Sequence, residues 1–397
     1  MSDGAPAGDV CWPALAVLEP AAATRRLMFV DLETTGLAGG AGTYAFLVGC
    51  GWFDRGAFRV RQLLLAGYAA ERALLGEVAR IAGDSALGTY NGKTFDLPLI
   101  ESRFLLHRMT PPFENLPHID MLYPARRLWG GSGGSAGRWA ESSAESAPHA
   151  RSPDPPHVRG AGAAEDSIHR PADPATSSCR LSMLEQTVLG HRRRGDVPGS
   201  EIPSRYFHYV RTGDARPLQG VLEHNRLDLL SLAMLTAHAA GLLEHGAAAA
   251  RTAREALGLG RLYERAGQVP EARRCYARAA GIATDPAAAA DALRGYAVLS
   301  RRAGCHDAAA RAWRQILDLR ACPPGLKQQA GEALAVHHEH RARDLPAARH
   351  FATAALDWTS GQRAAALQHR LARLDRKLGR SRSSPIGSLS SDLEALF

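Results

Sequence analysis

The sequence predicts a mixed α/β domain, its first three strands antiparallel, followed by an all-α domain of helical repeats. Three observations carry this expectation. Between residues 25 and 130, apolar runs of strand length alternate with stretches of helical periodicity. Residues 131–178 lose that patterning altogether. Beyond Gly246, large aromatic residues return at a repeat spacing: Tyr276, Trp313 and Phe351 stand 37 and 38 residues apart. A chain of 397 residues has room for two domains, or three, at roughly 100–200 residues each.

The elements follow in order. Residues 27–33 read as a buried strand, 44–53 as a second and 58–65 as a third. The Gly-rich link 36–42 suits an antiparallel connection, and because it leads into a strand it is not a phosphate-binding loop. Residues 71–81 place Leu74, Leu75, Val78 and Ile81 on one helical face. A short strand is expected at 87–90, a helix at 97–107 with Pro98 in its first turn, and another short strand at 118–122. Helices are expected at 183–189 and 221–238. Residues 131–178 are rich in Gly, Ser, Ala and Pro, with only Trp139, Val158 and Ile168 as large apolar residues. Such a stretch cannot bury enough surface to offset its ordering entropy, so a disordered insertion is expected. The resulting division is an N-terminal extension 1–24, an α/β domain 25–246 interrupted by the insertion, repeats over 247–380 and a tail 381–397.

The composition, 45% hydrophobic and 22% charged, excludes wholesale disorder. The net charge of +8 is unevenly placed: residues 250–397 carry 24 Lys+Arg against 14 Asp+Glu, and the remainder is slightly acidic. Arginine supplies nearly all of it, the lysines being Lys93, Lys327 and Lys377. A basic surplus is compatible with nucleic acid without demonstrating it. The six cysteines are scattered, with no CxxC pair, and the N-terminus lacks a basic stretch followed by an apolar one. No apolar run reaches the ~18–20 residues a membrane helix needs. A cytoplasmic protein without a membrane segment is therefore expected.

Three motifs carry chemistry. Asp31 and Glu33 end an apolar strand, and a period of two sets both carboxylates on one face. Two acids there repel each other and are costly to desolvate; a hard divalent cation removes the penalty. A chance acidic pair is the plainer alternative. Asp96, in Tyr90-Asn-Gly-Lys-Thr-Phe-Asp96, stands at a helix N-cap position, where simple capping would explain it. His224 and Asp228, four apart, share one helix face about one turn from each other, as an ordinary surface pair also would.

Together these motifs resemble the DEDD exonuclease superfamily, and the element order resembles a ribonuclease H-like α/β domain. The segments DLETTGLAGGAGTYAFLVG, YNGKTFDLPLIESRF, HIDML with ARRLW, and LEQTVLG, DVPGSEIPSRYFHYV and HNRLDLLSL are similar to the YprB-type ribonuclease H-like domain over about residues 25–238. That family also resembles the proofreading exonuclease of family B polymerases around its second motif. The resemblance implies a 3′–5′ exonuclease acting on DNA or RNA, with two Mg²⁺ or Mn²⁺ held by Asp31, Glu33, Asp96 and Asp228. His224 falls where the superfamily has its general base, although its spacing to Asp228 is that of the tyrosine type. Asp120 is a candidate outer carboxylate, or equally a strand-end hydrogen-bonding residue.

Candidate substrate contacts are Thr34, Thr35, Asn91, Phe95, Arg192 and Arg193, with Arg194 beside them. A strand-ending turn, a core phenylalanine and a solvated basic loop account for the same residues equally well. Tyr206, Phe207 and Tyr209 read as core before they read as base-stacking groups.

Leu259-Gly260 with Tyr263, Gly267, Ala272 and Tyr276 resemble the tetratricopeptide pattern, and Ala309 and Ala347 precede Trp313 and Phe351 by four as Ala272 precedes Tyr276. The resemblance implies a protein partner on the repeats. His337, His338 and His340 lack the spacing of a helical zinc motif. Two other functions fit the same pattern: a nucleic-acid-binding scaffold that uses the repeats, and an endonuclease on the same fold.

Overall fold

The computed structural model describes residues 12–36, 42–130, 179–359 and 361–382. The expected insertion lies outside them, as do residues 1–11 and 383–397. The chain divides into two compact units, Met1–Val10 with Arg26–Thr236, and Cys11–Arg25 with Ala237–Phe397.

The first unit is built on a five-stranded mixed sheet of β1 (Leu27–Thr34), β2 (Ala45–Asp54), β3 (Ala57–Leu64), β4 (Ala86–Thr89) and β5 (His118–Asp120), ordered β3-β2-β1-β4-β5. β1, β2 and β3 are mutually antiparallel neighbours, while β4 runs parallel to β1, and β5 to β4. The apolar alternation of β1 explains its central place: Met28, Val30 and Leu32 point to one face and Phe29, Asp31 and Glu33 to the other. Helix α1 (Glu71–Ala82) covers the first face with Leu74, Leu75, Val78 and Ile81, and its Glu77 receives Arg61 of β3 at 2.6 Å. Next come α2 (Asp96–Leu106), α3 (Leu122–Leu128), α4 (Leu181–Thr187), α5 (Ile202–Thr212) and α6 (Leu218–His245).

Two helices were not expected from the sequence. The strand expected over 118–122 stops at Asp120, whose carboxylate accepts the Leu122 N–H at 3.1 Å and turns the chain into α3. α5 begins with Pro203 in its first turn and buries Tyr206, which stacks on Phe46 at 4.1 Å and donates to Leu65 O at 3.0 Å. Gly130 and Cys179 lie side by side, since a Cβ on Gly130 would stand 3.1 Å from Cys179 Sγ.

α6 corrects a second expectation. By length and composition, residues 218–248 are apolar enough to cross a membrane, because Leu, Ala and Met dilute the few charges. Its Asn225, Leu229, Leu232, Thr236, Ala239 and Leu243, spaced alternately four and three apart, are all buried in the protein, as a core helix requires.

The second unit, besides the 3₁₀ turns Pro13–Val17 and Pro20–Ala22, is helical: α7 (Ala253–Arg265), α8 (Val269–Ile282), α9 (Pro286–Arg302), α10 (His306–Asp318), α11 (Pro324–His337), α12 (Leu345–Leu356) and α13 (Gln362–Arg382). Each packs on the next. Tyr276 fills the gap left by two glycines, for a Cβ on Gly260 or Gly295 would stand 2.6 or 2.8 Å from its ring. Ala272 and Ala309 are buried one turn before Tyr276 and Trp313; before Phe351 the buried alanine is Ala348 rather than Ala347. Thr252 and Glu255 form a capping box at the start of α7. Part of the basic surplus is neutralised internally, where buried Glu339 accepts from Arg370, Arg373 and Lys377 at 2.7–2.8 Å.

Candidate active site

Asp31 and Glu33 extend from the face of β1 that α6 covers. Asp31 pairs across the sheet with Gly49 of β2. The bare backbone there admits Asn225 of α6, which is fully buried and donates to Asp31 Oδ2 at 2.8 Å and Asp31 O at 3.2 Å. Gln62 of β3 donates to Asn225 Oδ1 at 3.0 Å and to Leu222 O at 2.7 Å, fixing the amide's orientation. Neither Asn225 nor Gln62 was singled out in the sequence; the only signal was Asn225's place inside His224-Asn-Arg-Leu-Asp228.

Asp96 is the first residue of α2, and Phe95 occupies the N-cap. The expected capping role is therefore not its own. Its position is set by the loop before it, where Asn91 adopts a left-handed φ of 67°. Asp120 grips that loop: one oxygen accepts the N–H groups of Asn91 at 2.7 Å and Leu122 at 3.1 Å, the other that of Lys93 at 3.1 Å. Both oxygens of Asp120 thus face backbone donors. Phe95, one residue from Asp96, is 59% exposed and lies outside the core.

Asp228 and His224 lie one turn apart on α6, with His224 Nε2 at 3.5 Å from Asp228 Oδ2. His224 Nδ1 is 2.7 Å from Asp196 Oδ1; an ionised carboxylate only accepts, so Nδ1 carries a proton there. Arg193 is turned inward. It donates to Glu185 at 2.8 Å and to Asp196 at 3.2 Å, and it also binds Asp228. The arginines expected as a phosphate-binding group are therefore divided, since Arg192 and Arg194 are exposed while the Arg193 side chain is 7% exposed. Glu185 and Asp196 are the acids that sequence reasoning missed.

The threonines after Glu33 serve the strand end. Thr34 Oγ1 donates to Gly36 O at 2.9 Å, and Thr35 Oγ1 accepts from Tyr44 N at 2.9 Å. Of the three aromatic residues on α5, Phe207 is exposed, and Tyr206 is buried.

Electrostatically the four acids act as one group. Burial, then the charges of Asp228, Glu33 and Asp96, hold the Asp31 carboxyl well above the usual range, against the Asn225 bond. Burial and the charges of Asp228 and Asp96 push Glu33 up to about 8. Asp96 is pushed up to about 7 by burial and by Asp120 and Asp228. Asp228 is raised by burial in spite of Arg193 and His224. Mutually repelling, desolvated oxygens fit a hard divalent cation in kind. As the side chains stand, no three His, Cys, Asp or Glu among the described residues close around a single point.

Residues 28–134 and 165–240 match the sequence model of the RNase_H superfamily. An uncharacterized protein of Bacillus subtilis (strain 168), YprB, is 32% identical over 213 residues, which cover 53% of this chain and 41% of the relative. The chain therefore spans about two fifths of that relative's length. With its β3-β2-β1 antiparallel meander, its parallel β4 and β5 and this sequence match, the first unit of the chain is an RNase H-like domain.

Proposed function

We propose that this protein is a divalent-metal-dependent nuclease that removes nucleotides from the 3′ end of DNA or RNA. The observation that carries the reading is that Asp31, Glu33, Asp96 and Asp228 come together from three separate elements: the charges of Asp228 and Asp96 raise the proton affinity of Asp31 and Glu33, and that of Asp228 raises the affinity of Asp96. Residues that are costly to hold together without a counter-charge are those expected to hold Mg²⁺ or Mn²⁺. When bound, such ions supply an activated water and stabilise charge on the leaving oxygen.

The chain's own residues do the rest. Asn225 aims the Asp31 carboxylate, and Asp120 holds the loop that places Asp96. Asp196 holds the His224 Nδ1–H, so that Nε2 can take a proton from water. Exposed Phe95 offers a face on which a terminal base can stack, and Arg192 a charge for the phosphates. The basic helices of the second unit add sequence-independent affinity for nucleic acid or a surface for a protein partner.

A 5′-labelled strand tests this, offered as DNA and RNA, single- and double-stranded, with Mg²⁺ or Mn²⁺. The expected product is a descending ladder that Asp31→Ala abolishes. Discrete internal products would assign endonuclease activity, and an intact strand at every ion concentration would leave the scaffold reading.

A further inference from the structure

The face of the sheet turned away from Asp31 carries a cavity of about 470 Å³ beside the last turn of α1. Met28 pairs with Trp52, and Trp52 with Arg59, so these side chains share the α1 face. The Asp31–Gly49 pair lies three residues further along β1 and points to the opposite side. Four of the lining residues are arginines: Arg26 before β1, Arg59 and Arg61 on β3, and Arg80 on α1. Trp52, Val60 and Ile81 supply the apolar part, and no acid lines the cavity among the described residues.

The four guanidiniums are only partly neutralised. Glu77 of α1 accepts from Arg61 at 2.6 Å and from Arg80 at 2.6 and 2.7 Å, and Arg59 Nε lies 3.3 Å from Asp54. Arg26 donates to Ser85 and to the Ile81 carbonyl at 2.7–3.0 Å, and it lies over the Trp52 ring, 5.4 Å from its centre. Four positive groups thus meet two carboxylates. Each guanidinium has five N–H donors, and the Arg59 and Arg61 side chains are 57% and 49% exposed, so donors remain open to a ligand. Charges on an edge strand discourage pairing with another sheet, and Arg59 and Arg61 would do that alone. Such a role needs neither a cavity nor Arg26, Trp52 and Arg80, which come from other elements.

A ligand that answers all of these walls carries phosphate at one end and a flat apolar group at the other. Guanidinium forks bind phosphate oxygens in pairs, and a nucleic base stacks on an indole whatever its identity. The volume lies within the range of small-molecule sites, about 300–1,000 Å³, and is too large for inorganic phosphate alone. Asp54 at the hairpin end and Glu77 on the α1 side flank the arginines, so the positive surface is short and suits one nucleotide rather than a running strand. We propose that this cleft is a second ligand site, for a free nucleoside phosphate, on the sheet face remote from the carboxylates. It shares no residue with the candidate active site and does not depend on the nuclease reading.

The test is calorimetric titration of the full chain in EDTA with three probes: ADP, pyrophosphate, and a short DNA strand without terminal phosphates. ADP should bind at one site, and pyrophosphate about tenfold more weakly, because it lacks the stacking group. Arg59→Gln and Arg61→Gln, at half-exposed positions, should each weaken ADP by about tenfold. Trp52→Leu should bring ADP down to the level of pyrophosphate. Pyrophosphate as tight as ADP in wild type would overturn the proposal whether or not the variants fold. A DNA strand that displaces ADP at equal concentration would overturn it too, making the cleft a strand-binding surface. An Arg59→Gln protein that melts as wild type does and binds ADP equally well would put the nucleotide elsewhere and sink the idea. No heat with any probe would leave the arginines as guards of the edge strand and end it. None of these outcomes depends on whether the protein cuts nucleic acid.

Discussion

Asn225 is seated on Gly49: a Cβ built on that glycine would stand 2.2 Å from Asn225 Oδ1 and 2.9 Å from its Cγ. The two residues are far apart in sequence, and their fit decides where the Asp31 carboxylate points. Gly49→Ala is therefore expected to lift Asn225 off the sheet. Overpacking of this kind costs about 1–3 kcal/mol, and a shift of ~1 Å at a catalytic carboxylate lowers turnover on the order of 100-fold. Denaturant unfolding and strand cleavage measure the two effects. Wild-type turnover in Gly49→Ala would show that the seat does not govern Asp31.

The repelling acids predict an unusual pH response of the ion-free protein. Glu33 is raised from an ordinary value of 4.5 to about 8, and Asp96 from 3.8 to about 7. The folded state then holds protons that the unfolded chain has released. Their contribution to stability is fully present below the ordinary values and is lost as pH rises through about 7 to 8. Melting in EDTA should fall between about pH 5 and pH 8, and Mn²⁺ should restore more at the upper end. Asp31→Asn should flatten the profile and raise the melting temperature at about pH 8, as removal of a functional charge commonly adds about 0.5–2 kcal/mol. An EDTA profile identical in Asp31→Asn and wild type would contradict the mutual repulsion.

A different buried charge holds the first unit together. Glu71 of α1 accepts two bonds of 2.6 Å from Arg103 of α2, and His107 lies 2.8 Å from the same carboxylate. Burial pushes Glu71 up, but the bonds from Arg103 and His107 outweigh it and hold the carboxyl below its ordinary value. Its contribution is present above that value and is lost as pH falls. Glu71→Gln takes the negative charge away from the buried Arg103 guanidinium, which keeps its place over the Tyr44 ring at 4.1 Å, and should destabilise the protein by about 3–5 kcal/mol, read as a shift of the denaturant midpoint.

Asp120 predicts a local effect. Asp120→Asn turns an amide N–H₂ towards backbone donors, so at least one of the bonds to Asn91, Lys93 and Leu122 is lost. A cost of about 1–3 kcal/mol is expected, with faster hydrogen exchange at the Asn91 and Lys93 amides. Unchanged protection there would show that the loop before Asp96 is held by something else.

The sheet was legible in the sequence because β1 and β2 are apolar on both faces and a helix-period pattern follows them. The acids of the site were legible for the same reason: Asp31 and Glu33 break an otherwise apolar strand. α5 was not, since Tyr206, Phe207 and Tyr209 do not separate core from surface until Tyr206 meets Phe46. The supports of the site were also hidden. Gln62, Asn225, Asp196 and Glu185 are ordinary polar residues whose meaning lies in long-range contacts, such as the 160 positions between Gln62 and Leu222. The inward turn of Arg193 was equally hidden, because three consecutive arginines read as one solvated patch until Gly190 and Gly195 bend the loop.

α6 has a consequence for taking the protein apart. The contacts divide the chain between Thr236 and Ala237, yet the helix that carries His224, Asn225 and Asp228 runs on to His245. A protease nick or a stop codon at the division would remove its last two turns and expose Leu235 and Thr236, which are fully buried, at a fraying end. A fragment that keeps the first unit therefore has to end after residue 245, and shortening the chain to the tidy boundary would loosen the His224, Asn225 and Asp228 side chains from a distance.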